Sequence, residues 1–96
     1  MYYLYVLYTA VSDKYYVGIT DDVNRRLKEH NEISDTSYTS KHRPWILKGQ
    51  YAVGNERGIA MKIERHIKKQ KSQVYIERIL ESGKIDKLIE RFRPVG

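Results

Sequence analysis

The sequence predicts an α+β fold, in which a small three-stranded antiparallel sheet is flanked by helices. Its first half carries Tyr- and Val-rich segments of strand length between polar turns, and its second half carries apolar residues at helical spacing. The resulting order is β-β-α, a long connection with room for one helical turn, and then β-α-α-α. A chain of 96 residues can bury one modest core. We therefore expect residues 1–96 to form a single domain, with its core at 2–71 and C-terminal helices at 72–93.

The start of the chain predicts a β-hairpin. Residues 2–9 are rich in Tyr, Leu and Val and contain no breaker, which indicates a strand buried on both faces. A polar connection at residues 12–14 leads to a returning strand at residues 15–19. Gly18 lies inside the returning strand and predicts a bulge, or a close approach of another backbone or a ligand.

The residues after the hairpin predict a helix, because Val23, Leu27 and His30 recur at helical spacing. Arg26 and His30 are four residues apart and should lie on one side of this helix. Asn31 is the expected end of the helix. Its candidate N-caps are Thr20, Asp21 and Asp22.

A third strand and a long helix follow. The polar segment 32–44 forms a long connection that ends at Pro44, and residues 45–53 predict the third strand. The next helix should span residues 56–71, with Asn55 as its N-cap.

An acidic residue lies beside the apolar stripe of this helix. Ala60, Ile63 and Ile67 form the stripe, and Glu64 follows Ala60 by four residues. This position favours a metal-binding or hydrogen-bonded role for Glu64. The alternative is an ion pair with Lys68 at i,i+4, worth only ~0.3–0.5 kcal/mol.

Two shorter helices complete the chain. Ser72 is the expected N-cap of the first, and Ser82-Gly83 its end. Its inward-facing residues are expected to be Val74, Tyr75, Ile79 and Leu80. The last helix is amphipathic through Ile85, Leu88, Ile89 and Phe92.

The charge of the chain predicts a polyanionic partner. The net charge is +6, and the surplus gathers at residues 25–28, 41–43 and 62–71. A charge balance that only keeps the protein in solution is the alternative. We expect nucleic acid instead. The cations expected to contact its phosphates are Arg25, Lys28, Lys41, Arg43, Lys68 and Lys69.

Several classes of protein do not fit the composition. There is no cysteine, which excludes disulfides, thiolate zinc sites and cysteine nucleophiles. No apolar run approaches the ~20 residues that span a membrane, and the N-terminus lacks the features of a signal peptide. We therefore expect no membrane partner and a cytoplasmic location.

Five residues form a candidate site for phosphodiester hydrolysis: Tyr5, Tyr16, Arg26, His30 and Glu64. The reaction needs an activated nucleophile and neutralisation of charge on the phosphoryl oxygens. Each residue alone has an ordinary interpretation. Tyrosines fill sheets, and single Arg and His residues on a helix are usually solvated charges. A phenol, with an unperturbed pKa of ~10, also needs a neighbouring cation or metal before it can act as a base.

The spacing of these residues resembles the GIY-YIG nuclease superfamily, in particular small stand-alone bacterial members similar to the N-terminal domain of excision-repair nucleases. The matching pieces are Tyr3-Leu4-Tyr5 in place of Gly-Ile-Tyr, then Tyr16-Val17-Gly18, Arg26, His30-Asn31, and Ala60 with Glu64. Residues 38–45 are similar to the stretch before the third strand in those members. The resemblance covers residues 2 to about 71 well.

The resemblance implies a metal-dependent endonuclease that acts on DNA, in repair or recombination. In such an enzyme, Tyr5 and Tyr16 would orient or deprotonate the attacking water. Arg26 would neutralise charge on the phosphate, and His30 would assist by hydrogen bonding or proton transfer. Glu64 would hold one divalent metal, Mg²⁺ or Mn²⁺.

Two alternatives remain open at this point. The chain could be a nucleic-acid-binding module that kept the fold and lost cleavage, or a subunit that is active only with a partner. RNA is a second candidate substrate besides DNA. Target choice would come from nucleic-acid shape, from a partner protein or from a homodimer.

Overall fold

The observed elements follow the predicted order. The computed structural model describes residues 1–33, 41–83 and 85–93. Its elements are β1 (Tyr2–Thr9), β2 (Lys14–Thr20), α1 (Val23–Lys28) with a π-helical turn (Glu29–Ile33), β3 (Ile46–Gly54), α2 (Arg57–Lys69), α3 (Gln73–Ser82) and α4 (Asp86–Phe92). The α+β class and the three-stranded antiparallel sheet are therefore confirmed.

Strand β1 is the centre of the sheet, whose order is β2-β1-β3. It pairs antiparallel with β2 from Tyr3 to Thr9 without a register shift, and antiparallel with β3 with two shifts. Residues Leu4 to Leu7 are all buried, at 0 to 1% exposure. This confirms the prediction that the first strand is covered on both faces.

The two faces of β1 belong to different clusters, because side chains alternate along a strand. Leu4 and Val6 pack with the buried stripe of α2, which is the predicted Ala60, Ile63 and Ile67. On the opposite face, Tyr5 and Leu7 pack with Val23 of α1 and with Trp45 just before β3. The second face carries the tyrosines of the candidate site.

Gly18 makes room for Tyr5. The two residues are direct partners in the β1–β2 ladder, where the pairing is regular, so the predicted bulge is absent. A Cβ atom added to Gly18 would lie 2.5 Å from the Tyr5 hydroxyl oxygen and 2.6 Å from Cζ. The predicted close approach is therefore made by the side chain of Tyr5.

Helix α1 begins as predicted but ends differently. Asp22 is its N-cap, and its Oδ1 accepts the backbone N–H of Arg25 at 3.1 Å. The expected end at Asn31 is wrong, since the chain continues as a π-helical turn through Ile33. The Asn31 side chain instead anchors the start of β3. Its Nδ2 donates to the Trp45 carbonyl at 3.0 Å, and its Oδ1 accepts the Trp45 N–H at 2.7 Å.

The C-terminal helices follow the predicted caps in part. Ser72 caps α3, and Gly83 ends it in the left-handed conformation. Asn55 is not the cap of α2, because Glu56 takes that place without a side-chain bond. Val74 was expected inside but is 57% exposed. Among the described residues, no helix has the length and apolar character that crossing a membrane requires.

We expect Gly18→Ala to lower the free energy of unfolding by about 1–3 kcal/mol, because the new methyl group displaces the Tyr5 ring. Gly58→Ala is the matched control. Nothing lies within 4 Å of its Cβ position in α2, so alanine should be neutral or stabilising by up to ~1 kcal/mol. Urea unfolding of both variants measures the difference. Equal stability of the two variants would contradict the close approach of Tyr5 to Gly18.

Candidate active site

Three rings from different elements meet on the α1 face of the sheet. Tyr5 comes from β1, Tyr16 from β2 and His30 from the π-helical turn. Ring centroids are 6.3 Å apart for Tyr5 and Tyr16, 5.8 Å for Tyr5 and His30, and 4.8 Å for Tyr16 and His30. The Tyr5 hydroxyl oxygen lies 2.9 Å from His30 Nε2, in a buried hydrogen bond. The structure thus brings three of the five predicted residues into direct contact.

The π-helical turn determines where His30 lies. Such turns are rare and are frequently found at functional sites. Here the turn is held from the next segment, because Arg43 Nε donates to the His30 carbonyl at 2.6 Å. Arg43 was predicted to contact nucleic acid. That contact stays a prediction, and the half-buried side chain also supports the backbone of His30.

Burial keeps both members of the Tyr5–His30 pair uncharged at neutral pH. Tyr5 is 1% exposed, and burial raises its pKa to about 12, although the Arg26 guanidinium beside its hydroxyl opposes the rise. His30 is 4% exposed, and burial lowers its pKa to about 4, with a further contribution from the positive charge of Arg26. The buried hydrogen bond therefore joins a neutral phenol to a neutral imidazole.

Arg26 and Arg25 have different surroundings, although they are neighbours on α1. Arg26 is half-buried beside Tyr5, and its Nη1 lies 3.4 Å from Glu29 Oε1. Arg25 is exposed, and its Nη2 pairs with Asp21 Oδ1 at 2.9 Å. Both line an open cleft of about 480 Å³. Of these two arginines, Arg26 therefore combines access from the cleft with proximity to the ring cluster.

Glu64 lies at the margin of the ring cluster, on α2. Its side chain is 23% exposed, and its Oε1 is 2.7 Å from Lys68 Nζ, so the ion pair considered as the alternative is present. Lys68 Nζ also lies 5.2 Å from the Tyr16 ring centroid. The negative charge of Glu64 contributes to the raised pKa of Tyr5, which places the carboxylate within electrostatic reach of the cluster.

The donors around Glu64 fit one kind of metal site. Across the described ranges, no three His, Cys, Asp or Glu residues converge as a metal cage. Mg²⁺ is commonly held by one or two carboxylates while water and substrate phosphates supply its other ligands. A single accessible carboxylate fits an ion of this kind. Lys68 shows that the same oxygen atom already attracts a cation.

The other predicted phosphate contacts lie on the outside of the molecule. Lys28 is exposed and lies 4.0 Å from Glu32, and Lys41 and Lys69 are exposed as well. Lys68 faces Glu64 and Tyr16. The stretch compared with small family members, residues 38–45, is described only from residue 41 onwards.

Sequence reasoning missed Trp45, which closes the site from the side of β3, and the contacts of His42 with the hairpin. Trp45 is 3% exposed and packs edge-on against Tyr16, with centroids 6.1 Å apart. His42 lies close to the hairpin, since its Nδ1 is 2.9 Å from Ser12 Oγ and its carbonyl accepts from Thr9. The sequence does show a local density of aromatic and imidazole rings. This density does not indicate which rings contact each other.

Comparison with known proteins identifies the family. A family model described as the GIY-YIG catalytic domain matches residues 1–77. The chain belongs to this family. GIY-YIG domains form a nuclease superfamily, and the matched range contains all three rings, Arg26 and Glu64.

A curated relative supports the assignment to the GIY-YIG family. The chain is similar to a UPF0213 protein from Lacticaseibacillus paracasei, at 34% identity over 79 residues. The alignment covers 79% of this chain and 86% of the relative. No solved structure gives a significant match.

The His30 pKa predicts a stability change with pH. The folded pKa, about 4, lies below the unfolded value of 6.5. The His30 contribution is therefore complete above pH 6.5 and is lost as the pH falls towards 4, because only the unfolded chain takes up the proton. The loss should reach about 3 kcal/mol. Urea unfolding at several pH values measures it.

His30→Gln should remove this part of the pH dependence. His66→Gln is the matched control, since His66 lies on α2 and outside the ring cluster. Parallel stability curves for the wild-type chain and His30→Gln would contradict a buried, neutral His30.

Proposed function

We propose that this GIY-YIG domain is a metal-dependent endonuclease that hydrolyses phosphodiester bonds of DNA. The observation that carries the proposal is the buried hydrogen bond between Tyr5 and His30 beside Arg26, with the Glu64 carboxylate at its margin. Family membership supports nuclease chemistry in general. The geometry supports a specific division of roles within the site.

The two tyrosines differ in access. Tyr16 is half-buried and can meet solvent, whereas Tyr5 is fully enclosed. Tyr16 would orient or deprotonate the attacking water at the surface of the cluster. Tyr5 would act behind it by hydrogen bonding, since its hydroxyl group holds Nε2 of neutral His30 and so orients the imidazole against Tyr16.

Charge on the phosphate would be neutralised from two sides. Arg26 presents its guanidinium next to Tyr5, and guanidinium groups can bind two phosphoryl oxygens at once. Glu64 would hold a single Mg²⁺ or Mn²⁺, and when bound this ion would supply positive charge to the phosphoryl oxygens. Because Lys68 pairs with the same Glu64 oxygen, it would exchange that partner for a phosphate.

The substrate proposal is DNA, with RNA as the alternative nucleic acid. The six cations predicted from the sequence contact phosphates in this proposal, and phosphate contacts position a protein without specifying bases. Target choice would therefore come from DNA shape, from a partner protein or from a second copy of this chain. A role in repair or recombination and a cytoplasmic location remain predictions from the sequence.

One observation favours a second candidate function, a nuclease subunit that is silent without a partner. Lys68 already neutralises Glu64, so the site rests with its carboxylate occupied. Incubation with branched, nicked and plain duplex DNA in Mg²⁺ or Mn²⁺ distinguishes the two candidate functions. Metal-dependent cuts by the isolated chain support the endonuclease. DNA binding without cleavage in either metal ion favours the partner-dependent subunit.

We expect Glu64→Gln to abolish cleavage and leave the fold nearly unchanged, because the half-exposed side chain keeps its size and loses only the charge that would hold the metal. Glu81→Gln, an exposed position on α3, is the matched control and should cut normally. Cleavage rates in Mg²⁺, with urea unfolding alongside, test both. Wild-type rates for the Glu64 variant would show that the metal assignment is wrong.

We expect Arg26→Ala to raise the barrier to cleavage by about 2.7–4 kcal/mol, by analogy with the loss of one donor to a transition-state oxyanion. Arg25→Ala should act mainly on DNA affinity, since this exposed side chain pairs with Asp21 and not with the ring cluster. Single-turnover rates at saturating DNA isolate the chemical step. If Arg25→Ala were the slower variant in that assay, the two arginines would have to exchange roles.

A further inference from the structure

A basic cleft flanks the candidate active site on the outer side of β2. It has a volume of about 300 Å³ and lies between β2 and the turn that joins α2 to α3. We propose that this cleft binds a backbone phosphate of the nucleic-acid strand next to the phosphate that is attacked. This proposal rests on the proposed nuclease function, because the attacked phosphate defines the path of the strand.

The charge of the cleft suits a phosphate. Lys14, Lys68 and Lys71 line it, and its lining includes no acidic side chain. Ser72 and Gln73 also line it, and they form the start of α3, where the helix dipole adds positive potential. A cleft with this combination attracts a multiply negative strand more strongly than a neutral ligand.

The cleft continues directly into the ring cluster. Tyr16 lines the cleft and also contacts His30. Lys68 lines the cleft and also pairs with Glu64. A strand that places one phosphate at Tyr16 and Glu64 therefore passes the mouth of the cleft. This continuity favours nucleic acid over an acidic peptide as the occupant.

The backbone at Lys71 supports a role for its side chain. Lys71 follows α2 with a φ of 49°, in the left-handed region. Helices commonly end on a glycine in this position, because a side chain is disfavoured there. Within the part of the chain that the structure describes, Lys71 is in no ion pair. A lysine that occupies a position suited to glycine and lines a basic cleft supports a role for its charge.

The assignment differs from the phosphate contacts predicted from the sequence. Lys14 and Lys71 were not among those contacts. Lys14 lies on β2, far in sequence from the basic clusters. Lys69 was among them, yet it does not line the cleft. The fold, and not the run of charges along α2, selects the residues that face the strand.

Two variants test the cleft by binding. Lys71→Gln removes its charge, and Lys62→Gln removes the same charge from an exposed position of α2. Lys62 lies two residues before Glu64, about 200° around the helix from it. Affinity for a short DNA duplex would be measured with EDTA present, over a series of salt concentrations. Lys71→Gln should bind several-fold more weakly, with a log–log salt slope reduced by about one unit. Lys62→Gln should match the wild-type chain.

Lys71→Gly distinguishes loss of a contact from loss of the fold. Glycine suits the left-handed φ, so this variant should be as stable as the wild-type chain or more so. It should still show the weaker binding of Lys71→Gln. Wild-type affinity in both Lys71 variants, or an equal loss in Lys62→Gln, would overturn the proposal.

Neutral methylphosphonate linkages would locate the bound phosphate. Substituted one at a time along the duplex, they should weaken binding of the wild-type chain at a phosphate that Lys71 contacts. Where the duplex is cut, this phosphate should adjoin the cleavage position. Lys71→Gln should be insensitive to substitution there, because its contact is already absent. Full sensitivity in Lys71→Gln would overturn the proposal. A chain that shows this pattern but never cuts DNA in Mg²⁺ or Mn²⁺ would support the phosphate site and overturn the endonuclease.

Discussion

The hydrogen bond between Tyr5 and His30 is the contact on which the rest of the site depends. It joins the central strand to the π-helical turn, and both partners are removed from water. A buried polar pair of this kind is stable only while both members are satisfied. Gly18 leaves room for the phenol, and Arg43 holds the backbone of His30. The geometry of the site therefore depends on this hydrogen bond and on the groups that hold its two partners in place.

The site combines a neutral interior with a positive exterior. Burial leaves the Tyr5 phenol and the His30 imidazole uncharged at neutral pH, although the chain carries a net charge of +6. The positive groups lie around the rings, with Arg26 on the side of α1 and Lys68 on the side of α2. An approaching phosphate would thus meet cations first. The phenol of Tyr5 and the imidazole of His30 lie behind these cations, shielded from solvent.

The sequence predicted the parts of this arrangement that depend on local periodicity. The two-faced burial of residues 2–9, the stripe of α2 and the cap at Ser72 follow from spacing within one element, and the structure confirms them. Local periodicity did not predict the π-helical turn or the two hydrogen bonds between Asn31 and Trp45. They depend on contacts between residues far apart in sequence, so Asn31 resembled a helix end. The role of Arg43 was hidden for the same reason, since a run of cations does not show which one points inward.

The alternation of side chains along β1 places core residues and a residue of the ring cluster in the same strand. Leu4 and Val6 belong to the core shared with α2, and Tyr5 between them belongs to the ring cluster. A one-residue slip of this strand would move the phenol into the core and a leucine or valine into the site. A slipped chain would lose burial and the phenol's position together. A molecule with a slipped β1 therefore cannot keep the ring cluster, so an intact cluster reports correct pairing of this strand.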